Sequence, residues 1–251
     1  MFDLIDESGR ELKGSEFRVK RGFRYGICRA EIDIDSEEKS ENLSLNQGKH
    51  YIFNSPLLHL SGEENEIYLA RLLANALKRM LKEKGYSSSQ KVLIACLGNP
   101  DIEADRLGKE VFDGTNELCQ GNSRLFKFCP NICLFTGLES AKIIKLLVDG
   151  IKIDFVLIID ALTTSSLSRL GRSFQLVDGG MTPGSGVNRF GKAIDEKFLE
   201  AKCISIGVPF MINSRTIVQD EEEIFLVPKD VSEDVARAGR VVSDAIGQAL
   251  K

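Results

Sequence analysis

The chain has 251 residues, 43% hydrophobic and 28% charged, with 33 Lys and Arg against 37 Asp and Glu and a formal net charge of -4. That length suits one large α/β unit, and ordinary hydrophobic usage excludes an extensively disordered chain. The mild acidity supplies no broad basic field for nucleic acid, and no apolar stretch reaches the roughly 18–20 residues of a membrane span.

Residues 1–16 are polar and acidic and read as a loosely attached leader, with no cationic start or apolar stretch of a signal peptide. Segments 25–35 and 49–56, rich in aromatic and β-branched residues, predict strands on either side of the charged loop 36–41. Over residues 63–84 the apolar positions Ile67, Leu69, Ala70, Leu72, Leu73, Ala76, Leu77, Met80 and Leu81 recur at helical spacing, and Gly85 stops the helix. Next come a strand over 92–97, a loop over 98–104, and a helix from Asp105 to Leu118 with Asp105 as its N-cap. A helix over 141–148 precedes the continuous apolar run 155–159, which reads as a strand buried on both faces and stops on Asp160. A short strand at 174–177, a Gly-rich loop over 178–191, a buried strand at 203–208 and a closing helix over 231–250 complete the pattern, with the acidic run 220–223 as a solvated loop.

Apolar strands joined through helices from Val92 onward imply an α/β fold: a mainly parallel sheet flanked by helices, hydrolase-like, with a small N-terminal β extension. Sites in such sheets form beyond the C-terminal strand ends, where Asp105 and Asp160 both fall. Alone, Asp105 is an ordinary helix cap. Asp160 is harder to explain structurally, because an ionisable group ending a fully apolar strand is costly to desolvate unless it faces a cleft. Two carboxylates brought together cannot both ionise easily. One stays protonated while the other activates water, which is acid–base hydrolysis without a covalent intermediate.

The run Gly179-Gly180-Met181-Thr182-Pro183-Gly184-Ser185-Gly186 is rich in backbone N–H groups that suit an extended peptide, an oxyanion or a phosphate. It lacks the Lys-Ser/Thr ending of a P-loop. Ser185 is no nucleophile elbow, because Pro183 and Val187 stand where the outer glycines belong. With only His50 and His59 available, both early in the chain, a serine triad has no base nearby. The six cysteines are dispersed, as expected of reduced cytosolic thiols, and Cys129 and Cys133 have no matching second pair for zinc. No metal or cofactor is expected.

Five motifs in order resemble the germination protease family, the spore endopeptidases that degrade small acid-soluble spore proteins. They are Leu97-Gly98-Asn99 with Asp105-x-Leu107-Gly108, Thr136-Gly137-Leu138-Glu139-Ser140, Ile159-Asp160-Ala161-Leu162, Pro183-Gly184-Ser185-Gly186-Val187 and Ile206-Gly207-Val208-Pro209; Val227-Pro228-Lys229-Asp230 is similar to that family's C-terminal segment. The resemblance implies Asp105 and Asp160 as the catalytic pair, with Gly98, Asn99, Gly184, Ser185 and Gly186 at the substrate. It implies spore proteins as substrate, the cytoplasm of the forespore or spore core as location, and a homo-oligomer, tetrameric by family likeness. The leader would be removed between Glu16 and Phe17, leaving 17–251 as a single α/β peptidase domain. Two departures stand out: Arg18 where a small residue is expected second after the cut, and Thr182 where the family commonly has His. The chain is also shorter than is usual for the family. The alternatives are a divergent non-catalytic or regulatory homologue that binds peptide, and a maturation protease acting on another protein. The fold implied is similar to that of the nickel-dependent hydrogenase maturation proteases, although no histidine follows His59 to serve a metal. Leu97-Gly98-Asn99-Pro100 is similar to a peptidyl-tRNA hydrolase motif, but that enzyme's downstream histidine is missing.

Overall fold

A computed structural model describes residues 17–20, 25–38, 47–130, 138–184, 192–213 and 224–251. In chain order the elements are β1 (Phe17–Lys20), β2 (Cys28–Ile34), β3 (Gly48–Asn54), α1 (Glu63–Glu83), β4 (Val92–Cys96), α2 (Leu107–Gly114), α3 (Asn116–Cys119), β5 (Leu125–Phe128) and α4 (Ser140–Ile151). There follow β6 (Phe155–Thr164), β7 (Ser173–Asp178), α5 (Glu196–Leu199), β8 (Lys202–Asn213), β9 (Phe225–Leu226) and α6 (Val231–Leu250), with 3-10 turns at Leu58–Leu60 and Glu103–Asp105.

The strands form one sheet in the order β1-β2-β3-β7-β8-β6-β4-β5, with β9 pairing with β8. Strands β8, β6, β4 and β5 are mutually parallel. The expected N-terminal β extension is not a separate layer. Strands β1, β2 and β3 continue the same sheet through antiparallel β7.

Side-chain alternation divides the core into two layers. On one face Val92, Ile94 and Cys96 of β4 and Phe155, Leu157 and Ile159 of β6 pack with α1, α2 and α6. On the other, Leu93, Ala95, Val156 and Ile158 meet Ala141, Ile144 and Val148 of α4 and Leu199 of α5. Burial on both faces explains why β4 and the first half of β6 are unbroken apolar runs. Each fully buried Leu, Ile or Phe there contributes about 1.5–3 kcal/mol relative to exposure.

The structure departs from the sequence expectations in three places that matter to the site. First, β6 does not stop at Asp160 but continues through Ala161, Leu162, Thr163 and Thr164, paired with β8 throughout. Second, the helix expected over 105–118 is divided: Asp105 closes a 3-10 turn, Arg106 stands at the N-cap of α2, and α2 ends at Gly114. The Thr115 hydroxyl there folds back to donate to the Val111 carbonyl at 2.8 Å, closing α2 before α3 begins. Third, β8 runs past Val208 to Asn213, and the ladder slips where Leu162 faces Pro209 and Thr163 faces Met211. A bulge at proline is expected because its ring nitrogen has no proton for the ladder.

Candidate active site

Strand β4 leads through α2 to β5 on one side of it, and β5 leads back through α4 to β6 on the other. Helices α2 and α4 cover opposite faces of the sheet, so the connections diverge between the C-terminal ends of β4 and β6, the place where sheets of this kind form a ligand crevice. It is bounded at its base by the Leu97 N–H, which donates to the Ile159 carbonyl at 2.7 Å.

Asp160 follows directly on Ile159, at the level where β4 has ended while β6 and β8 continue. It is 8% exposed and shares the parity of Val156 and Ile158, so it lies on the α4 face of the sheet. Its partner across the β6–β8 ladder is Gly207. A Cβ on Gly207 would run into the Leu162 side chain, so glycine is what lets Leu162 pack over this position.

Asp105 is held at the crevice by a tight loop. Gly98 takes φ of 105°, a conformation side chains disfavour, and a Cβ there would collide with the Asp105 carbonyl oxygen. The Asn99 N–H donates to Asp105 Oδ2 at 2.8 Å, and the Asp101 N–H donates to Asn99 Oδ1 at 3.0 Å. Thus the Asp105 carboxylate does not cap the following helix; it reaches back to the loop that left β4. The 3-10 turn that carries it packs against β6, β8 and α6. Gly108 brings α2 hard against the Leu97 carbonyl, so the loop is closed at its far end as well.

Gly98, Asn99, Asp105 and Asp160 are therefore gathered around the end of β4. The Gly-rich loop approaches from β7. Ser205 Oγ donates to the Gly179 carbonyl at 3.0 Å, on the face that Asp160 shares, and Met181 and Ile194 exchange two backbone hydrogen bonds of 3.0 and 2.8 Å. Gly184 is partly buried, with φ of 73°. Ser185, Gly186 and Glu16 lie outside the described residues, while Phe17 opens β1 at the far edge of the sheet, paired with Ile32.

Sequence reasoning missed Gly207 and Ser205, which line the same face. It also missed how the two histidines are used. His50 Nδ1 accepts from the Asp178 N–H at 3.3 Å. His59 Nδ1 lies 2.9 Å from both carboxylate oxygens of fully buried Asp234, which also accepts the His59 N–H at 3.1 Å. Asp234 was detectable in principle as a carboxylate on the apolar stripe of Val231, Val235 and Ala238. Among the described residues no group of three or more His, Cys, Asp or Glu is placed to hold a metal ion, and no helix is long and apolar enough to cross a membrane.

These features define an α/β protein with a helix-flanked sheet and a carboxylate on each side of its switch-point crevice. The chain belongs to the germination protease family, whose sequence profile matches residues 6–246. It is 28% identical to the germination protease of Clostridium tetani over 232 residues, covering 88% of this chain and 70% of that one. To the germination protease of Caldanaerobacter subterraneus subsp. tengcongensis it is 30% identical over 239 residues, covering 91% and 72%. Against that of Clostridium acetobutylicum the identity is 26%, covering 81% and 66%, so the chain spans about two thirds of these relatives. Among solved structures, a nickel–iron hydrogenase maturation protease from Thermococcus kodakarensis KOD1 is similar with a TM-score of 0.41 and 17% identity, covering 68% of this chain and 98% of that one.

Proposed function

We propose that this chain is an aspartate-dependent endopeptidase that cuts small acid-soluble spore proteins during germination. What supports this reading is that the loop holding Asp105 leaves β4 just where β6 runs on with buried Asp160, one residue beyond the last β4–β6 pair. In the mechanism one carboxylate, ionised, takes a proton from a water molecule as it attacks the scissile carbonyl. The other, protonated, donates to the departing amine, and the pair then returns to its starting state. No covalent intermediate forms, and no cofactor is required.

In this reading an extended peptide would lie along the α4 face, beyond the Leu162 side chain that packs over Gly207. The Gly-rich loop leaves β7 level with Cys203, whose carbonyl accepts the Gly179 N–H. That is four residues, or about 13 Å along β8, below Gly207. The segment from Gly179 to Gly184 spans about 17 Å when extended, which is the reach this reading asks of it.

The residue 17–251 portion is the peptidase unit in this reading, working in the forespore or spore cytoplasm as a homo-oligomer. A leader cut between Glu16 and Phe17 has a geometric condition. Strand β1 lies five strand spacings from β6 in the sheet order, or about 24 Å. The cut must be made either by another copy or after β1 has left β2.

The test is incubation with a purified small acid-soluble spore protein, followed by mass mapping of the products. Asp105→Asn and Asp160→Asn should each abolish cutting while leaving the folded state intact. Wild-type turnover by both variants would overturn the pair. Tight binding of the spore protein with no cut by the wild-type chain would instead establish a peptide-binding homologue.

A further inference from the structure

Asn99 is fastened through its backbone and its side chain, and one of its polar groups is left over. Its backbone N–H donates to Asp105 Oδ2 at 2.8 Å, and its side-chain Oδ1 accepts the Asp101 N–H at 3.0 Å. The second contact fixes the amide, because an N–H donor can be faced only by the oxygen. Nδ2 is therefore turned away from Asp101. Among the described residues Nδ2 meets no acceptor, yet it is open to solvent in a residue that is only 7% exposed. A largely buried amide with an unspent donor calls for an acceptor from outside the chain.

The backbone around it ties this donor to both carboxylates. Pro100 disfavours helical geometry at Asn99. The Ile102 N–H donates to the Asn99 carbonyl at 3.2 Å, and the Ile102 carbonyl accepts the Asp105 N–H at 2.9 Å. Two residues before Asn99, the Leu97 N–H donates to the carbonyl of Ile159, the residue that precedes Asp160. Bond lengths hold Nδ2 within about 5 Å of the Asn99 backbone nitrogen, and hence within about 8 Å of Asp105 Oδ2. That span admits one water molecule and one carbonyl group in line.

We propose that Asn99 is a further catalytic residue: Nδ2 donates to the scissile carbonyl oxygen and holds the oxyanion that forms when water attacks. The inference rests on the peptidase reading, to which it adds the group that receives the developing charge. As the water oxygen bonds to the carbonyl carbon, the ionised carboxylate takes the water proton and the carbonyl π pair moves onto the oxygen that faces Nδ2. When the C–N bond breaks, that pair re-forms the carbonyl, and the protonated carboxylate gives its proton to the departing nitrogen. Asn99 keeps its own protons throughout. A donor already fixed in a largely buried setting stabilises the new charge without having to reorganise.

The test compares wild type, Asn99→Ser and Asn99→Asp in the full chain. Both replacements keep a side-chain acceptor for the Asp101 N–H and the backbone N–H that holds Asp105, but neither brings an amide donor to the carbonyl. Asn99→Ser adds no charge and carries the comparison; Asn99→Asp serves if the serine variant does not fold. Turnover of a small acid-soluble spore protein should fall about 10²–10³-fold in kcat, with KM within about threefold of wild type. Binding is measured separately with two uncleavable peptides of the sequence of residues 11–20. In one the Glu16–Phe17 amide is replaced by a difluoromethylene ketone, which hydrates to a tetrahedral diol, and in the other by an ethylene link with no oxygen. Wild type should prefer the ketone peptide by about 100-fold, and Asn99→Ser should lose at least about tenfold of that preference while binding the ethylene-linked peptide as wild type does. A folded Asn99→Ser with kcat within about twofold of wild type, an unchanged preference in it, or no preference in wild type would each overturn the inference. If the preference is present in wild type and lost in Asn99→Ser, but wild type never cuts the spore protein, the donor stands and the peptidase reading falls.

Discussion

Replacing Gly98 by alanine tests whether the loop that carries Asp105 is as tightly built as its geometry indicates. Two costs add at this position. Holding alanine at φ of 105° costs about 1–2 kcal/mol. The new Cβ also meets the Asp105 carbonyl oxygen, and relieving that overlap costs about 1–3 kcal/mol more. The stiffer unfolded chain offsets about 0.4–1 kcal/mol. The net loss is about 1–5 kcal/mol, which for a chain of this size lowers Tm by roughly 2–18 °C. Gly121→Ala is the control, since Gly121 has φ of 73° but nothing within 4 Å of an added Cβ. Scanning calorimetry of both variants separates the two costs, and peptide hydrolysis measured well below the lower Tm reports displacement of Asp105. Gly98→Ala should lose more stability than Gly121→Ala and lose activity as well. Equal Tm values for the two variants would refute the collision, and full activity in Gly98→Ala would refute the positioning of Asp105 by this loop.

Other consequences are as open to measurement. Asp234→Ala leaves the His59 N–H and ring nitrogen without their buried acceptor, and should cost about 3–5 kcal/mol, or roughly 6–20 °C in Tm. Its activity at low temperature should stay near wild type, because neither residue belongs to the crevice. Burial, with Glu196 nearby, pushes the Cys203 thiol up to about 12. In the native state it should resist iodoacetamide at pH 8 by about a thousandfold relative to a free thiol, as read by mass spectrometry. The sign of the linkage follows: the native state holds this proton more tightly, so its stabilising contribution is complete below the unfolded thiol's pKa and falls as pH rises toward about 12. Urea unfolding midpoints at pH 8 and pH 10 should therefore decline, and a Cys203→Ala variant should show a shallower decline.

The long periodic segments and most of the strands, including the short β7, were legible in the sequence, whereas β5 and the distant pairings were not. The spacing of Leu69, Leu73, Ala76, Leu77 and Met80 announces α1, and the closing helix lies where its periodicity put it. Strand β5 is only Leu125-Phe126-Lys127-Phe128, too brief to stand out from a loop. The end of β6 was misjudged because an ionisable residue was taken as a boundary. Asp160 sits instead inside a strand whose neighbour β4 has already ended, which is a property of sheet order and cannot be read from residues 155–164 alone. The role of the Asp105 carboxylate depended on a loop closing back onto Asn99, where helix-capping statistics pointed the other way. The His59–Asp234 contact, 175 residues apart, and the ion pairs of Lys84 with Asp178 and Glu196 are long-range pairings with no local signature.

The sheet that holds the crevice also ends cautiously on both sides. Among the described residues its outermost strands, β1 and β5, have four residues each, and each carries lysine, with Lys127 on β5 donating to the Phe112 carbonyl at 2.5 Å. Such short, charged margins offer a passing extended chain few successive backbone groups to pair with. For a protein that would handle unstructured polypeptides, this means an arriving strand finds little to add to at the rims of the sheet. In the proposed reading, binding then falls to the strand ends of β4 and β6 and not to the rims.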